Sequence, residues 1–182
     1  MELHCKVKGD FEMTVLEAVE KRWACRAYAD KDVEAEKLHR IMRAGYLAPT
    51  AKNEQRNKLI AVTDPDLRGR LVAACRGQKF VGEAPVVLVA CANDERTMIC
   101  GQSARSMDCA IAMSFMRLQA IEEGLQGCWL GWYDPEQVRK VLNIPLDYVV
   151  VSVMPIGYPA KEGQRSPKKP MEEIVVYNRM GE

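Results

Sequence analysis

Apolar residues recur at helical spacing in several segments of the chain, and these segments predict helices. The stretch TVLEAVEKR (residues 14–22) has this period, and Thr14 and Glu17 are placed as a capping box at its start. A second amphipathic helix is predicted over DVEAEKLHRIMRAGYLA (residues 32–48), where Pro49 ends it. Its predicted apolar side carries Val33, Leu38, Ile41, Met42 and Tyr46. DPDLRGRLVAACRG and DPEQVRKVLNIP each open with Asp-Pro, a helix start, and predict two more helices.

Continuous apolar runs predict the strands. KLIAVT is typical of a short strand, and APVVLVACA predicts a strand that is buried on both faces. DYVVVSVMPIGYP predicts the last strong strand, and EIVVYN (residues 173–178) a final one beyond it. Helices and strands are mixed without a regular βαβ alternation. The pattern therefore favours an α+β sandwich over a doubly wound sheet.

The segment CGQSARSMDCAIAMSFMRLQAIEEG predicts a long helix that ends at Gly124. Its middle has almost no polar face, since it carries Ala110, Ile111, Ala112, Met113, Phe115, Met116, Leu118 and Ile121. A helix that is apolar all round needs packing partners on every side. The helix is therefore either the centre of the core or in contact with a second copy of the chain.

Length and charge limit the classes of protein to consider. With 182 residues, the chain is expected to form a single domain (residues 1–182), with an N-terminal extension over residues 1–12 and a C-terminal tail over residues 160–182. The net charge of +1 gives no global attraction to nucleic acid or to an anionic membrane. No apolar run is long enough for a membrane span, and the N-terminus has no signal-peptide core. We expect a cytoplasmic protein.

The residues with reactive side chains indicate little chemistry that the protein could perform alone. Seven cysteines without a CxxC pair and only two histidines, His4 and His39, predict neither a metal site nor disulfides. The chain has no GxSxG, no HExxH, no P-loop and no GxGxxG after a strand. We nominate no side chain as a catalytic acid or base. If the protein is an enzyme, a cofactor is expected to carry the difficult step.

Two local basic clusters stand out in the nearly neutral chain. KRWACRAY places Lys21, Arg22 and Arg26 close together, either as cations at a helix C-terminus or as an anion site. Arg165 with Lys168 and Lys169 forms the second cluster, which alone would be a solvated loop. Together the two clusters fit one bound phosphate group better than a track for nucleic acid.

The segment APTAKNEQRN (residues 48–57) is a polar loop between a predicted helix and a predicted strand. It contains hydroxyl and carboxamide groups but no large apolar side chain that could build a core. Such a segment is either a surface turn or a recognition loop for a ligand with hydrogen-bonding edges.

The order of these segments resembles the FMN-dependent nitroreductase family. The resemblance rests on KRWACRAY, APTAKNEQ, GQKFVGEAPVVLVACAN, DCAIAMSFMRLQAIEEGLQGCWLGW and MPIGYPA…KKPMEEIV, and it runs from about Leu16 to Tyr177. It implies a three-layer sandwich with a central mixed β-sheet flanked by helices. It also implies an intertwined homodimer with FMN in each of two interface clefts, to which the C-terminal tail contributes.

The resemblance also implies which residues contact FMN. Around the phosphate and ribityl chain it places the side chains of Arg22 and Arg26, the backbone of Trp23 and Ala24, and Lys168 or Lys169. At the flavin ring it places the carboxamide of Gln78 and the backbone of Leu130 and Gly131, which follow Trp129. The loop of the neighbouring subunit is expected to reach the ring through Pro49, Thr50, Ala51 and Asn53, with help from Gln55.

The activity implied by the resemblance is hydride transfer from NADH or NADPH, through FMN, to a small acceptor of the nitroaromatic, quinone or enone type by a ping-pong cycle. Two alternatives stay open: flavin fragmentation, dehalogenation or dehydrogenation on the same fold, and flavin binding without turnover. The chain departs from the family pattern at Trp23, Ala24, Lys52 and Arg56-Asn57. These departures bear on individual contacts and on the substrate pocket.

Overall fold

The secondary structure follows the apolar periodicity of the sequence. The computed structural model describes residues 13–180, so the predicted N-terminal extension lies outside the described residues. The helices and strands are α1 (Val15–Lys21), α2 (Ala35–Tyr46), β1 (Asn57–Val62), α3 (Pro65–Ala74), α4 (Phe80–Glu83), β2 (Val86–Ala92), α5 (Ala104–Glu122), β3 (Gln126–Gly127), α6 (Pro135–Val141) and β4 (Val149–Gly157), with 3-10 turns at Ala51–Asn53 and Met171–Glu173. Within this range, no helix has both the length and the apolar character that a membrane span requires.

The four strands form one sheet in the order β1-β2-β4-β3. Every neighbouring pair of strands is antiparallel, so the expectation of a mixed sheet needs correction. The parallel contact is a single bridge between Ala24 and Gly127 at the β3 edge. β2 is paired on both sides and each of its residues is buried, which confirms the strand predicted from its continuous apolar run.

The side chains of β2 point alternately into two cores, one on each face of the sheet. Val87, Val89 and Cys91 pack with residues of α3, α4 and α6 in one core. Leu88 and Ala90 pack with residues of α2 and α5 in the other. This is the period-2 alternation of a strand between two helical layers, and it confirms the three-layer α+β sandwich.

Side chains cap the helices where the sequence predicts. Thr14 Oγ1 accepts a hydrogen bond from the Glu17 N–H at 3.2 Å, and the Glu17 carboxylate accepts one from the Thr14 N–H at 2.7 Å. Asp64 and Asp134 cap α3 and α6 in the same way. α1 ends at Lys21, and Arg22 already has an extended backbone with φ −70° and ψ 128°. Arg22 and Arg26 therefore lie beyond the last helical turn.

Two predictions from the pattern are wrong. EIVVYN is not a strand: it follows the turn at Met171–Glu173 as exposed irregular chain, because no strand within residues 13–180 pairs with it. Tyr46 is 75% exposed rather than part of the buried side of α2. Ile41, from the same predicted set, is fully buried.

Candidate functional site

The basic segment after α1 runs as extended chain along the β3 edge of the sheet. Ala24 forms the parallel bridge to Gly127, and the Cys25 N–H donates to the Gly127 carbonyl at 3.3 Å. The Trp23 N–H donates to Gln126 Oε1 at 3.3 Å. Backbone and side-chain hydrogen bonds to β3 therefore fix the conformation of this segment.

Extended geometry separates the side chains of the basic segment into two rows. Cys25 is fully buried, whereas Ala24 and Arg26 are exposed and Arg22 is half-buried. Successive residues on one face of an extended chain are about 7 Å apart, so the small Ala24 side chain leaves space between the two guanidinium groups. Within residues 13–180, neither Arg22 nor Arg26 has a carboxylate within 4.0 Å. A surface with unpaired arginines is suited to an anion.

The C-terminal tail begins against the same segment. A Cβ atom built on Gly163 would lie 2.4 Å from the Trp23 ring, so the tail backbone packs directly on the indole. Lys168 follows five residues later and is thus within about 18 Å of this contact. Lys169 forms an exposed ion pair with Glu173 at 3.3 Å. Lys168 has no such partner in the described chain, and of the two lysines it is the better placed to serve an anion.

The polar loop between α2 and β1 has a fixed, strained conformation. The Asn53 N–H donates to the Thr50 carbonyl at 2.9 Å, and the Gln55 N–H donates to Thr50 Oγ1 at 3.1 Å. Lys52, Asn53 and Gln55 have φ values of 56°, 56° and 53°, in the left-handed region that non-glycine residues rarely adopt. Strain of this kind persists where surrounding contacts impose it, and it concentrates at functional sites.

A buried carboxylate holds the loop to α5. Asp108, only 4% exposed, accepts a hydrogen bond from the Ala51 N–H at 2.9 Å through Oδ1. Arg96 supplies a second anchor, because it bonds Glu54 at 2.6 Å while it chelates the buried Asp94. The hydrogen bonds from Arg96 hold the pKa of Asp94 well below its usual range.

Sequence reasoning missed these anchors, although a signal for one of them was present. Asp108 is an acidic residue at the beginning of the apolar stretch of α5, where a buried charge requires a hydrogen-bond donor. The donor, the backbone N–H of Ala51, cannot be identified from side-chain types.

Replacing Asp108 with alanine should loosen the loop without unfolding the subunit. Losing the bond to the Ala51 N–H should raise the population of open loop about tenfold, on the scale of one hydrogen bond to a charged group. Lys52 lies in this loop, so tryptic cleavage after Lys52 should accelerate by a similar factor, as measured by mass spectrometry. Asp66→Ala, at an exposed acid of α3, is the matched control. Equal cleavage rates in both variants would contradict the anchoring role of Asp108.

A cavity of about 480 Å³ opens beside this loop. Ala51 and Lys52 line one side, and residues 96–100 line the other with the side chains of Met98 and Ile99. The volume lies in the range of small-molecule sites, and the walls are mostly apolar with two cations, Lys52 and Arg96.

The carboxamide of Gln78 is fixed in orientation. Its Nε2 donates to the carbonyls of Cys75 at 2.9 Å and Trp132 at 2.8 Å. Among residues 13–180, no donor contacts Oε1, so this oxygen can accept a hydrogen bond from a ligand N–H.

The segment from Trp129 to Gly131 passes from the core to the surface of the protein. The Leu130 N–H donates to the Val153 carbonyl at 2.9 Å, and the Leu130 side chain is buried. Gly131 is exposed, and a Cβ built on it would meet no atom within 4 Å. Of the two backbone amides that the resemblance implicates, only that of Gly131 is left unpaired by the described part of the chain.

The implicated residues form two groups at opposite edges of the sheet. Arg22, Trp23, Ala24 and Arg26 lie along β3, whereas the loop from Pro49 to Gln55 leads into β1. With the order β1-β2-β4-β3 and about 4.8 Å between strands, these edges are some 14 Å apart. One subunit therefore does not bring the basic segment and the loop together through the sheet.

The cysteines line the cores. Cys75, Cys91 and Cys128 belong to one core and Cys109 to the other, whereas Cys100 is exposed. Burial raises the pKa of Cys75 to about 11 and that of Cys109 to about 12, so both thiols are neutral at pH 7. In residues 13–180 no three His, Cys, Asp or Glu side chains are grouped as metal ligands would be.

Comparison with known proteins identifies the family. The model of the nitroreductase family matches residues 19–81 and 72–158, most of the chain. The chain belongs to the nitroreductase family. The resemblance drawn from its motifs is thereby confirmed.

Relatives agree with this membership over nearly their whole length. A putative NADH dehydrogenase/NAD(P)H nitroreductase of Methanothermobacter thermautotrophicus is 30% identical over 154 residues, which cover 82% of this chain and 80% of that protein. An NADH dehydrogenase of Thermus thermophilus is 30% identical over 189 residues, which cover 86% of this chain and 92% of that protein. The solved structure of an FMN-dependent nitroreductase from Clostridium difficile R20291 superimposes with a TM-score of 0.79 at 28% identity and covers 91% of this chain and 99% of that one.

Proposed function

We propose that this nitroreductase-family protein is an FMN-dependent oxidoreductase that transfers hydride from NADH or NADPH to a small electron acceptor. The observation that carries the proposal is the face with unpaired Arg22 and Arg26 along β3, in a chain whose relatives are named for FMN, NADH and NAD(P)H. A charged phosphate group explains why two arginines share one face without a carboxylate partner.

The residues present fit FMN. Arg22 and Arg26 would hold the phosphate, with Lys168 near enough on the tail to add a third cation. Gln78 Oε1 is an acceptor for the N–H of the flavin pyrimidine ring, and the Gly131 N–H is a donor with open space around it. When bound, FMN would supply the hydride chemistry between the nicotinamide and the acceptor, in a ping-pong cycle.

The protein contributes binding, orientation and electrostatics rather than acid–base catalysis. The Gly131 N–H would donate to the ring, and the cations of the basic segment would hold the phosphate, in positions that the fold sets before reaction. The cysteines with raised pKa values are not nucleophiles at neutral pH. No side chain is assigned an essential proton transfer.

We further propose that the active form is a homodimer with FMN in each of two clefts at its interface. Two groups of site residues at opposite sheet edges support this, because a second copy can bring the loop of one subunit to the basic segment of the other. Apolar side chains left exposed by the single chain also support it, among them Val15 at 74%, Leu16 at 65% and Phe115 at 42%. A groove of about 340 Å³ between α1, α2 and α5, lined by Met13, Val15, Ala18, Phe115 and Leu118, offers a surface for the second copy.

The acceptor is proposed to enter through the cavity beside the loop. Met98 and Ile99 offer apolar contact to a flat ring, and Lys52 offers a cation to the oxygens of a nitro group or quinone. Nitroaromatics, quinones and enones share this combination of a flat apolar body and polar oxygens.

The purified protein should carry flavin bands in its visible spectrum, and these bands should bleach when NADH or NADPH is added under argon. Adding a quinone or nitroaromatic to the reduced protein should restore the bands. Free FMN with the same nicotinamide, without protein, controls for direct reduction. Bands that persist with both nicotinamides would contradict the oxidoreductase and favour flavin binding without turnover. Failure to take up FMN at all would contradict the cofactor site itself.

A further inference from the structure

Arg117 is a charged residue inside an apolar helix surface. It is the only charged side chain between Asp108 and Glu122 on α5, and it is half-buried. Its Nη2 donates to the carbonyl oxygens of Trp23 and Gly127, at 3.3 Å each. These two carbonyls flank the bridge between Ala24 and β3, so Arg117 lies directly behind the basic segment.

The guanidinium group of Arg117 is incompletely satisfied by the described chain. Its Nε is buried and has no hydrogen-bond partner, and no carboxylate of residues 13–180 lies within 4.0 Å of the group. Burial, and after it the nearby charge of Arg22, lowers the pKa of Arg117. A buried cation that is close to another cation and has no counter-ion is unfavourable unless an anion comes to the site.

We propose that Arg117 is a further cation of the phosphate site, held behind Trp23 so that its charge adds to those of Arg22, Arg26 and Lys168. The inference rests on the proposed FMN site and extends it to a residue that the family resemblance does not indicate. Two backbone carbonyls fix the guanidinium in place, so little side-chain entropy is lost when the anion binds.

The charge and the hydrogen bonds of Arg117 can be separated by two substitutions. Arg117→Gln removes the charge and keeps an N–H donor on a side chain two atoms shorter, whereas Arg117→Lys keeps the charge. Arg68→Gln is the matched control, because Arg68 also donates to backbone carbonyls, those of Thr63, Gly82 and Ala84, but lies away from the basic segment.

The test compares FMN with riboflavin, which lacks the phosphate, by titrating apoprotein and following the quenching of flavin fluorescence. Arg117→Gln should weaken FMN about tenfold and leave riboflavin within about twofold, as expected for loss of one charge acting on the phosphate. Arg117→Lys should keep most of the preference for FMN, and Arg68→Gln should keep all of it. Equal weakening of FMN and riboflavin by Arg117→Gln, or no weakening of either, would overturn the inference.

A measurement on the wild-type protein covers the case in which Arg117→Gln does not fold. In apoprotein labelled with nitrogen-15 arginine, the buried Nε–H of Arg117 should give a resonance that Arg117→Lys lacks. FMN and inorganic phosphate should shift this resonance, and riboflavin should not. A resonance that responds equally to riboflavin, or to none of the three, would overturn the role of Arg117. Wild-type protein that binds no FMN would instead contradict the proposed function. Failure of the Arg117 role and failure of the proposed function therefore give different results.

Discussion

Replacing Arg22 with alanine is expected to weaken FMN binding by about 2 kcal/mol, or roughly 30-fold, because a charge-assisted contact to the phosphate is lost. Arg22 sits on the outward row of the extended segment, half-buried and without a carboxylate partner among residues 13–180. Truncating it therefore leaves no buried acid unpaired, and the thermal midpoint should change little. Titration of apoprotein with FMN, followed by fluorescence, measures the effect.

Arg70→Ala is the matched control for this experiment. Arg70 is an exposed arginine on α3, and its removal changes net charge by the same amount as Arg22→Ala. FMN affinity should be unaffected by Arg70→Ala at moderate salt, since a distant exposed charge is screened. If both variants bind FMN as tightly as the wild-type protein does, Arg22 is not in the phosphate site.

The layered architecture could be predicted because its signals are local. β2 is a continuous apolar run bounded by a proline and an asparagine, and such a run predicts a strand covered on both faces. The apolar length of α5 and its end at Gly124 are visible in the sequence, and the structure adds the cap at Ser103. Burial on both faces of one strand requires a covering layer on each side of the sheet, and the resemblance implies that both layers are helical.

The order of the strands and the nature of the tail could not be predicted, because they depend on distant pairings. Nothing in KLIAVT or DYVVVSVMPIGYP indicates that both pair antiparallel with β2. EIVVYN has the composition of a strand but no strand partner among the described residues, so its local strand propensity does not determine its structure. Exposed side chains such as Val176, 50% exposed, and Tyr177, 77% exposed, leave this segment open for contact with a second copy.

For the candidate site as well, the sequence indicates side-chain types but not the backbone groups that they contact. The motifs assign Arg22, Asn53 and Gln78 to the site by side-chain type, and these assignments stay predictions. Two contacts in the structure could not be predicted from side-chain types: Asp108 accepts from the Ala51 N–H, and Arg117 donates to the carbonyls of Trp23 and Gly127. Main-chain partners leave no sequence signal, so such positioning residues emerge only from the fold.

Mixing two variants that each bind FMN weakly, at an FMN concentration that leaves their own sites largely empty, should restore activity if each site draws on both subunits. Arg22→Ala removes the phosphate side of the site, and Asn53→Gly removes the carboxamide of the loop while glycine tolerates the φ of 56° at that position. Each homodimer then has two damaged sites. A heterodimer has one site with both substitutions and one intact site, so random exchange of subunits should restore about a quarter of wild-type sites. Nicotinamide oxidation after exchange measures the recovery.

The control for the mixing experiment is a pair of variants from the same side of the site. Arg22→Ala and Arg26→Ala both alter the basic segment of one subunit, so every site in their heterodimer lacks one of the two arginines. This pair should recover nothing, whereas the pair of Arg22→Ala with Asn53→Gly recovers. Recovery in neither mixture, despite proven exchange of subunits, would mean that the loop serves its own subunit. In that case the loop would reach the basic segment of its own subunit around the end of the sheet, and no second copy of the chain would be needed.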